Sequence, residues 1–226
     1  MSDSARLDRL LRRGRILTLI GFLALAAHYV LVIAGTPGER WQGTAQKILY
    51  IHAPSAWAAL SAFALVGVAS IGYLFLRDRR LDSFAESSAE VGLAFGAVML
   101  TTGPLWGRPV WGAWWQWEPR LTLTLLLVLL FIGYRALRSS FDDPEERARY
   151  SAVVGIMALV LVPFVHLSVY LFRTIHPQPV FLKPSRPSMP NEMLIALLAG
   201  IAVFTLLYIG LVTLRYGISR RRAEAG

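Results

Sequence analysis

The amino-acid sequence predicts an all-α fold, a polytopic membrane helix bundle with six transmembrane helices that forms one domain over residues 1–226. Composition favours this class, because 55% of the residues are hydrophobic and the mean hydropathy is +0.51. Only 16% of the residues are charged, whereas a soluble domain carries about 25%. The third observation is a series of six apolar runs, and about 20 apolar residues are needed for a helix to cross the hydrocarbon layer.

The runs place the spans at about residues 16–34, 54–76, 89–105, 121–138, 151–172 and 192–214. The second begins at a proline, Pro54, which can occupy the first position of a helix. The third and fourth are short and borrow interfacial residues at their ends. The fifth follows an acidic linker with a proline, typical of a helix start. The sixth follows a proline-rich segment, residues 177–190, which cannot form a long helix.

The distribution of basic residues predicts the topology. Sixteen of the 23 lysines and arginines lie before the first span, after the second, after the fourth and after the sixth. Positively charged loops stay on the cytoplasmic side, so both termini are expected in the cytoplasm. This topology also accounts for the net charge of +9, and nucleic acid is therefore not an expected partner.

The chain contains no cysteine. This excludes disulfides, thiolate metal sites and a covalent C-x-x-C-H haem attachment within the chain. Any metal or redox chemistry must therefore use histidine, a carboxylate or a bound cofactor.

Tryptophan is concentrated in one predicted external loop, residues 106–120. Five of the seven tryptophans of the chain fall there: Trp106, Trp111, Trp114, Trp115 and Trp117. Tryptophan is common at membrane interfaces, but an interfacial belt would spread over all the spans. The loop ends in Glu118 and Arg120, and an apolar platform beside fixed charges suits a planar hydrophobic ligand that carries carboxylates.

Two histidines are predicted on the same external side as this loop. His52 precedes the second span and His176 follows the fifth. His28 and His166 lie inside spans, where a hydrogen-bonded structural role is expected, although an intramembrane ionisable group is always a candidate functional residue.

Two imidazoles, a tryptophan platform and no cysteine match the needs of a non-covalently held haem, because neutral histidine is a common axial ligand. Zinc or copper could also use two histidines, but a structural zinc site usually has four ligands. A membrane haem subunit for electron transfer, using His28 and His166, is a second possibility. A transporter of another substrate is a third, although such proteins show broken helices or buried charges at mid-membrane.

The segment WGAWWQWEPRLT, Trp111 to Thr122, resembles the tryptophan-rich external motif WGxxWxWD of the haem-handling proteins of cytochrome c maturation. The layout is similar over nearly the whole chain, and the length is that of the short, six-span members. Two positions depart from the motif. Glu118 replaces the usual aspartate, and Pro119 stands where a small residue is common.

The resemblance implies a component that is not an enzyme, located in the bacterial inner membrane with its haem site on the periplasmic side. Haem b would be bound as cargo and delivered to the periplasmic haem chaperone of the pathway, beside the subunits of an ABC transporter and a small single-span subunit. His52 and His176 would be the axial ligands of the haem iron. Arg120 would bind a propionate, with Arg108 and Arg173 as alternatives, and Glu118 would contact the chaperone or orient Arg120. The shelf against which haem and chaperone meet would be formed by Trp111, Trp114, Trp115 and Trp117, with Trp106 as a weaker member.

Overall fold

The computed structural model describes residues 3–180 and 183–225. This part of the chain is all-helical, as predicted, with six long α-helices and no strand. A 3₁₀ helix, Thr44–Ile48, runs directly into the second of them. The long helices are α1 (Asp3–Gly35), α2 (Leu49–Leu76), α3 (Arg79–Trp111), α4 (Pro119–Arg138), α5 (Pro144–Leu171) and α6 (Asn191–Ala225).

Five of these helices are long and apolar enough to cross a membrane, namely α1, α2, α4, α5 and α6. Helix α3 is long enough, but its segment 79–90 carries five charged residues, namely Arg79, Arg80, Asp82, Glu86 and Glu90. Its apolar part is therefore short, as the sequence indicated.

Helix α2 lies at the centre of the bundle and packs against α3, α5 and α6. Phe63 on α2 stacks on Phe131 of α4, with ring centroids 3.9 Å apart. Ser88 on α3 bonds both the carbonyl oxygen of Ala62 and the hydroxyl of Tyr208, which joins α2, α3 and α6. These contacts give the bundle a fixed core from which the helix ends project.

Helices α1 and α6 pack antiparallel with their backbones in close contact. A Cβ on Gly14 would lie 2.7 Å from the backbone nitrogen of Leu214, and a Cβ on Gly210 would lie 2.6 Å from that of Thr18. Gly21 meets Leu207 and Gly217 meets Leu11 in the same register. Small residues that allow such approach are typical of helix pairs in membranes.

The helices differ from the predicted spans at two places that matter for function. Helix α2 begins at Leu49, so Pro54 lies inside it and His52 is helical; the prediction that Pro54 opens the helix is wrong. The proline deprives the carbonyl of Tyr50 of its helical donor, and the imidazole of His28 faces that carbonyl. Helix α3 continues through Pro104 and Pro109 to Trp111, so the irregular part of the predicted tryptophan loop is residues 112–118 alone.

Consecutive helices run in opposite directions, which gives the bundle two distinct ends. We call the end that carries residues 36–48, 112–118, 172–180 and 183–190 the loop end. The opposite end, where α3 and α5 begin and α4 and α6 finish, is the arginine end. Every predicted site residue lies at the loop end.

Candidate functional site

His52 lies in the first turns of α2 and packs against α3. Its Nδ1 is 3.1 Å from the hydroxyl of Thr102, and its ring meets Trp106 edge-on with centroids 5.8 Å apart. A Cβ on Gly103 would lie 3.3 Å from the imidazole, so a glycine there lets the ring sit close to the helix. The contact with Thr102 fixes Nδ1 and leaves Nε2 for a ligand.

The side chain of Trp106 packs inside the protein and is not part of the exposed tryptophan surface. Its indole N–H donates to the side-chain carbonyl of Gln42 at 2.9 Å. Its ring packs against a buried cluster that includes Val32, Leu49 and Leu197. Trp106 therefore connects α3 to the segment between α1 and α2 through Gln42, and its ring packs against that of His52.

His176 lies in the loop between α5 and α6, beside the end of α3. Its ring is 6.3 Å from that of Trp111, centroid to centroid. Its Nδ1 is 2.9 Å from the carbonyl oxygen of Pro177, and its backbone N–H donates to the hydroxyl of Thr174 at 3.1 Å. With a proton on Nδ1, that contact is a hydrogen bond and Nε2 carries the lone pair that a metal needs.

The electrostatics of His176 bring three predicted residues together. Burial first, and the positive charge of Arg120 second, lower the pKa of His176 to about 3, and His52 adds a smaller effect in the same direction. His52, His176 and Arg120 are thus close enough to influence one another. The imidazole of His176 is neutral at physiological pH, which is the form that binds metals.

Two buried donors at this site have no partner among the residues that the structure describes. They are Nη1 of Arg120 and the indole nitrogen of Trp115. Buried donors are nearly always paired, so the two unpaired ones suit an acceptor supplied from outside the chain. A carboxylate is such an acceptor, and a guanidinium binds it well.

Glu118 is the N-cap of α4 and only 8% exposed. One carboxylate oxygen accepts a hydrogen bond from the backbone of Leu121 at 2.6 Å, and the other accepts one from the hydroxyl of Thr174. Pro119 occupies the first helical position, where its missing N–H costs nothing. Both carboxylate oxygens of Glu118 are therefore engaged within the protein, by Leu121 and Thr174, and neither of these hydrogen bonds is made to Arg120.

The tryptophans differ in exposure. Trp114 is 58% exposed and Trp117 is 77% exposed, whereas Trp111 and Trp115 are half-buried. Trp115 and Trp117 meet edge-on with centroids 5.7 Å apart. Trp114 and Trp117 are therefore the outward-facing members of the tryptophan cluster, and Trp111 lies beside His176.

Two residues at the loop end, Thr174 and Trp41, were not predicted from the sequence. Thr174 links Glu118 to His176, and no local pattern marks a threonine for that role. Trp41 is 87% exposed, and the guanidinium of Arg40 lies 5.7 Å from the centre of its ring. The only sequence signal for Trp41 is a single tryptophan in a predicted external segment. This signal is weaker than that of the five tryptophans further along the chain.

The alternative that uses His28 and His166 finds no support in the geometry. Their helices, α1 and α5, are not packed side by side in the described part of the chain. His28 faces the carbonyl of Tyr50, and the ring of His166 meets that of Tyr170 at 6.4 Å. Zinc is also disfavoured, because no group of three or more histidine or carboxylate side chains in the described ranges could hold a bare ion.

Comparison with known proteins gives one consistent family. A family model described as "Heme exporter protein C" (CcmC) matches residues 4–226. A Heme exporter protein C from Bradyrhizobium diazoefficiens is 36% identical over 211 residues, which is 90% of this chain and 80% of the relative. One from Haemophilus influenzae is 32% identical over 215 residues, which is 94% of this chain and 87% of the relative.

Proposed function

Because the chain belongs to the Heme exporter protein C family, we propose that it holds haem b at the outer face of the bacterial inner membrane and passes it to the periplasmic haem chaperone of cytochrome c maturation. Haem is the cargo in this proposal and is held non-covalently. The protein is a transfer component and not an enzyme.

The proposal takes all six helices as membrane-spanning, with both termini in the cytoplasm and the loop end in the periplasm. The composition of α3 alone does not identify it as membrane-spanning. The helices before and after it in the chain, α2 and α4, are apolar and long enough to cross a membrane. The bias of arginine towards the arginine end supports this orientation. ABC transporter subunits and a small single-span subunit are the proposed neighbours in the membrane.

The observation that supports the proposal most is the proximity of His52, His176 and Arg120 at the loop end. His52 and His176 come from different elements, a helix and a loop, and each has its Nδ1 close to a hydrogen-bonding partner within the protein. We assign them as axial ligands on the two faces of the porphyrin. Arg120, with its unpaired Nη1, is assigned to a propionate.

The tryptophans divide into two roles on this proposal. Trp111 and Trp115 line the apolar side of the haem site, where their half-buried rings exclude water. Trp114 and Trp117 face outward and supply the surface on which the chaperone docks. Aromatic side chains are enriched at such interfaces because they bury a large apolar area.

The test is the absorption spectrum of haem that co-purifies with the protein. We expect His52→Ala and His176→Ala each to lose the spectrum of a six-coordinate bis-histidine haem. His166→Ala is the matched control, because this histidine is half-buried on α5 and outside the site. Wild-type spectra in both ligand variants would rule out the assignment.

A further inference from the structure

A second polar site lies at the arginine end, on the side of the bundle away from the haem site. The first turns of α3 and α5 and the last turns of α4 and α6 surround a cavity of about 350 Å³. Seven arginines and three carboxylates line it, so arginines outnumber acidic side chains in the lining.

The three carboxylates are already engaged by three of these arginines. Arg138 makes two hydrogen bonds to Asp82, at 2.6 and 3.0 Å. Arg135 bonds Glu86 at 3.2 Å. Arg215 makes two hydrogen bonds to Glu90, at 2.5 and 3.0 Å, so the acidic groups are neutralised locally.

Three further arginines line the cavity without such a partner. Among the side chains that the structure describes, no carboxylate lies within 4.0 Å of Arg79, Arg147 or Arg222. The Nε of Arg147 is buried and has no hydrogen-bond partner. These arginines come from three helices, α3, α5 and α6, so the bundle itself brings them to one cavity.

We propose that this cavity binds a phosphate group, carried either by the headgroup of an anionic phospholipid or by a soluble phosphate compound. Arginine binds phosphate through paired hydrogen bonds in a fixed geometry. A phosphate group satisfies donors that arrive from several directions better than a carboxylate with two oxygens does. Ser83 also lines the cavity, whereas the hydroxyl of Ser219 already donates to Glu86 at 3.1 Å.

The excess of positive charge is otherwise unfavourable. Arg79 and Arg222 are exposed, whereas Arg147 is half-buried. Like charges that are held close together repel one another, and the unpaired buried Nε of Arg147 costs free energy. A bound phosphate offsets both costs. The site is independent of haem, because the loop end lies at the other end of the helices.

The test compares two double variants with the same change in charge. Arg79→Gln with Arg147→Gln removes two unpaired arginines of the cavity, whereas Arg80→Gln with Arg149→Gln removes their neighbours on the same helices, which lie outside the lining. Each protein is placed in phosphatidylcholine nanodiscs that contain a minor fraction of phosphatidylglycerol. Native mass spectrometry then counts the phosphatidylglycerol that the protein retains.

A second arm titrates inorganic phosphate into the protein in pure phosphatidylcholine nanodiscs, with binding followed by ³¹P NMR. We expect the cavity variant to bind about tenfold more weakly than the wild type and the control variant to bind normally. If the cavity variant retains less phosphatidylglycerol than the wild type, the phosphate group belongs to a lipid headgroup. If it binds inorganic phosphate more weakly than the wild type does, the phosphate group belongs to a soluble compound. The proposal is overturned if the wild type retains neither probe or if both double variants bind equally. The single variant Arg147→Gln replaces the double one if the latter does not fold.

Discussion

The carboxylate of Glu118 accepts a hydrogen bond from the hydroxyl of Thr174, 56 residues further along the chain. Glu118 caps α4, and Thr174 also accepts a hydrogen bond from the backbone of His176. The start of one helix is thereby connected to the loop that carries the second histidine. We call the two hydrogen bonds of Thr174, to Glu118 and from His176, the latch. The latch explains how a histidine in a proline-rich loop is held in a fixed position.

Breaking the latch should weaken haem binding without affecting α4. Thr174→Val removes the hydroxyl, so the loop loses its anchor while the cap from Glu118 to Leu121 remains. We expect about tenfold weaker haem binding, because hydrogen bonds to charged groups contribute about 1.5–3 kcal/mol. Thr174→Ser keeps the hydroxyl and should behave as wild type in a haem titration followed by absorbance. Equal losses in the two variants would contradict the latch.

Arg120 should recognise the propionates of haem and not its ring. We expect Arg120→Gln to bind haem about tenfold more weakly, because a charge-assisted pair is lost. Haem dimethyl ester, which has no carboxylates, should bind the wild type and this variant equally well. Arg186→Gln, an exposed arginine in the loop between α5 and α6, is the matched control. If Arg120→Gln weakened the ester and haem by the same factor, the assignment to a propionate would fail.

The outward-facing tryptophans should matter for transfer more than for retention. Trp114→Ala combined with Trp117→Ala should leave haem on the protein but slow its appearance on purified chaperone by at least about tenfold, as expected when aromatic anchors of an interface are removed. Trp111→Ala, beside His176, should instead reduce the amount of haem retained. The proposed division is wrong if both variants reduce retention and transfer in the same proportion.

Haem coordination should persist well below the pH at which a free imidazole protonates. The pKa of His176 is lowered to about 3, so its neutral form prevails down to about pH 4, whereas an unperturbed histidine is half protonated near pH 6.5. The unfolded chain binds a proton in this window and the folded chain does not, so lower pH costs the folded state stability there. We expect the bis-histidine spectrum to persist at pH 5 in the wild type. Arg120→Gln should lose the bis-histidine spectrum at a higher pH than the wild type does, because the neighbouring positive charge no longer lowers the pKa of His176. An unchanged pH midpoint for the loss of this spectrum would contradict the electrostatic account.

The contact between α1 and α6 should tolerate no added methyl group. Gly210→Ala places a Cβ 2.6 Å from the backbone of Thr18, and we expect a loss of about 1–3 kcal/mol in the free energy of unfolding. Gly133→Ala, on α4, is the matched control because its Cβ would meet nothing within 4 Å. Alanine favours a helix over glycine, so the control should be neutral or slightly stabilising in a thermal unfolding measurement in detergent. Equal melting temperatures of the two variants would exclude the close packing.

The elements that sequence reasoning predicted correctly are those with a strong local signal. Long apolar runs identify helices because a bilayer-spanning segment must be apolar along its whole length. Topology then puts His52, His176 and the tryptophans at one end of the bundle, since successive helices alternate in direction. The proximity of His176 to Arg120 agrees with that expectation.

The details that sequence reasoning missed depend on tertiary contacts. Pro54 does not open α2, because a proline removes only one backbone hydrogen bond and His28 faces the carbonyl that is released. Helix α3 likewise passes two prolines before it ends at Trp111. The pairing of Glu118 with Thr174 has no signature at all in a single sequence, because neither residue stands in a pattern that specifies a distant partner.

The glycine-lined contact also governs the order of assembly. Helix α1 packs mainly against α6, which follows α2 to α5 in the chain. During synthesis α1 is therefore made well before the helix that covers its glycine-lined face. Deleting α6 would leave α2 to α5 with most of their mutual contacts, and α1 would lose its main packing partner.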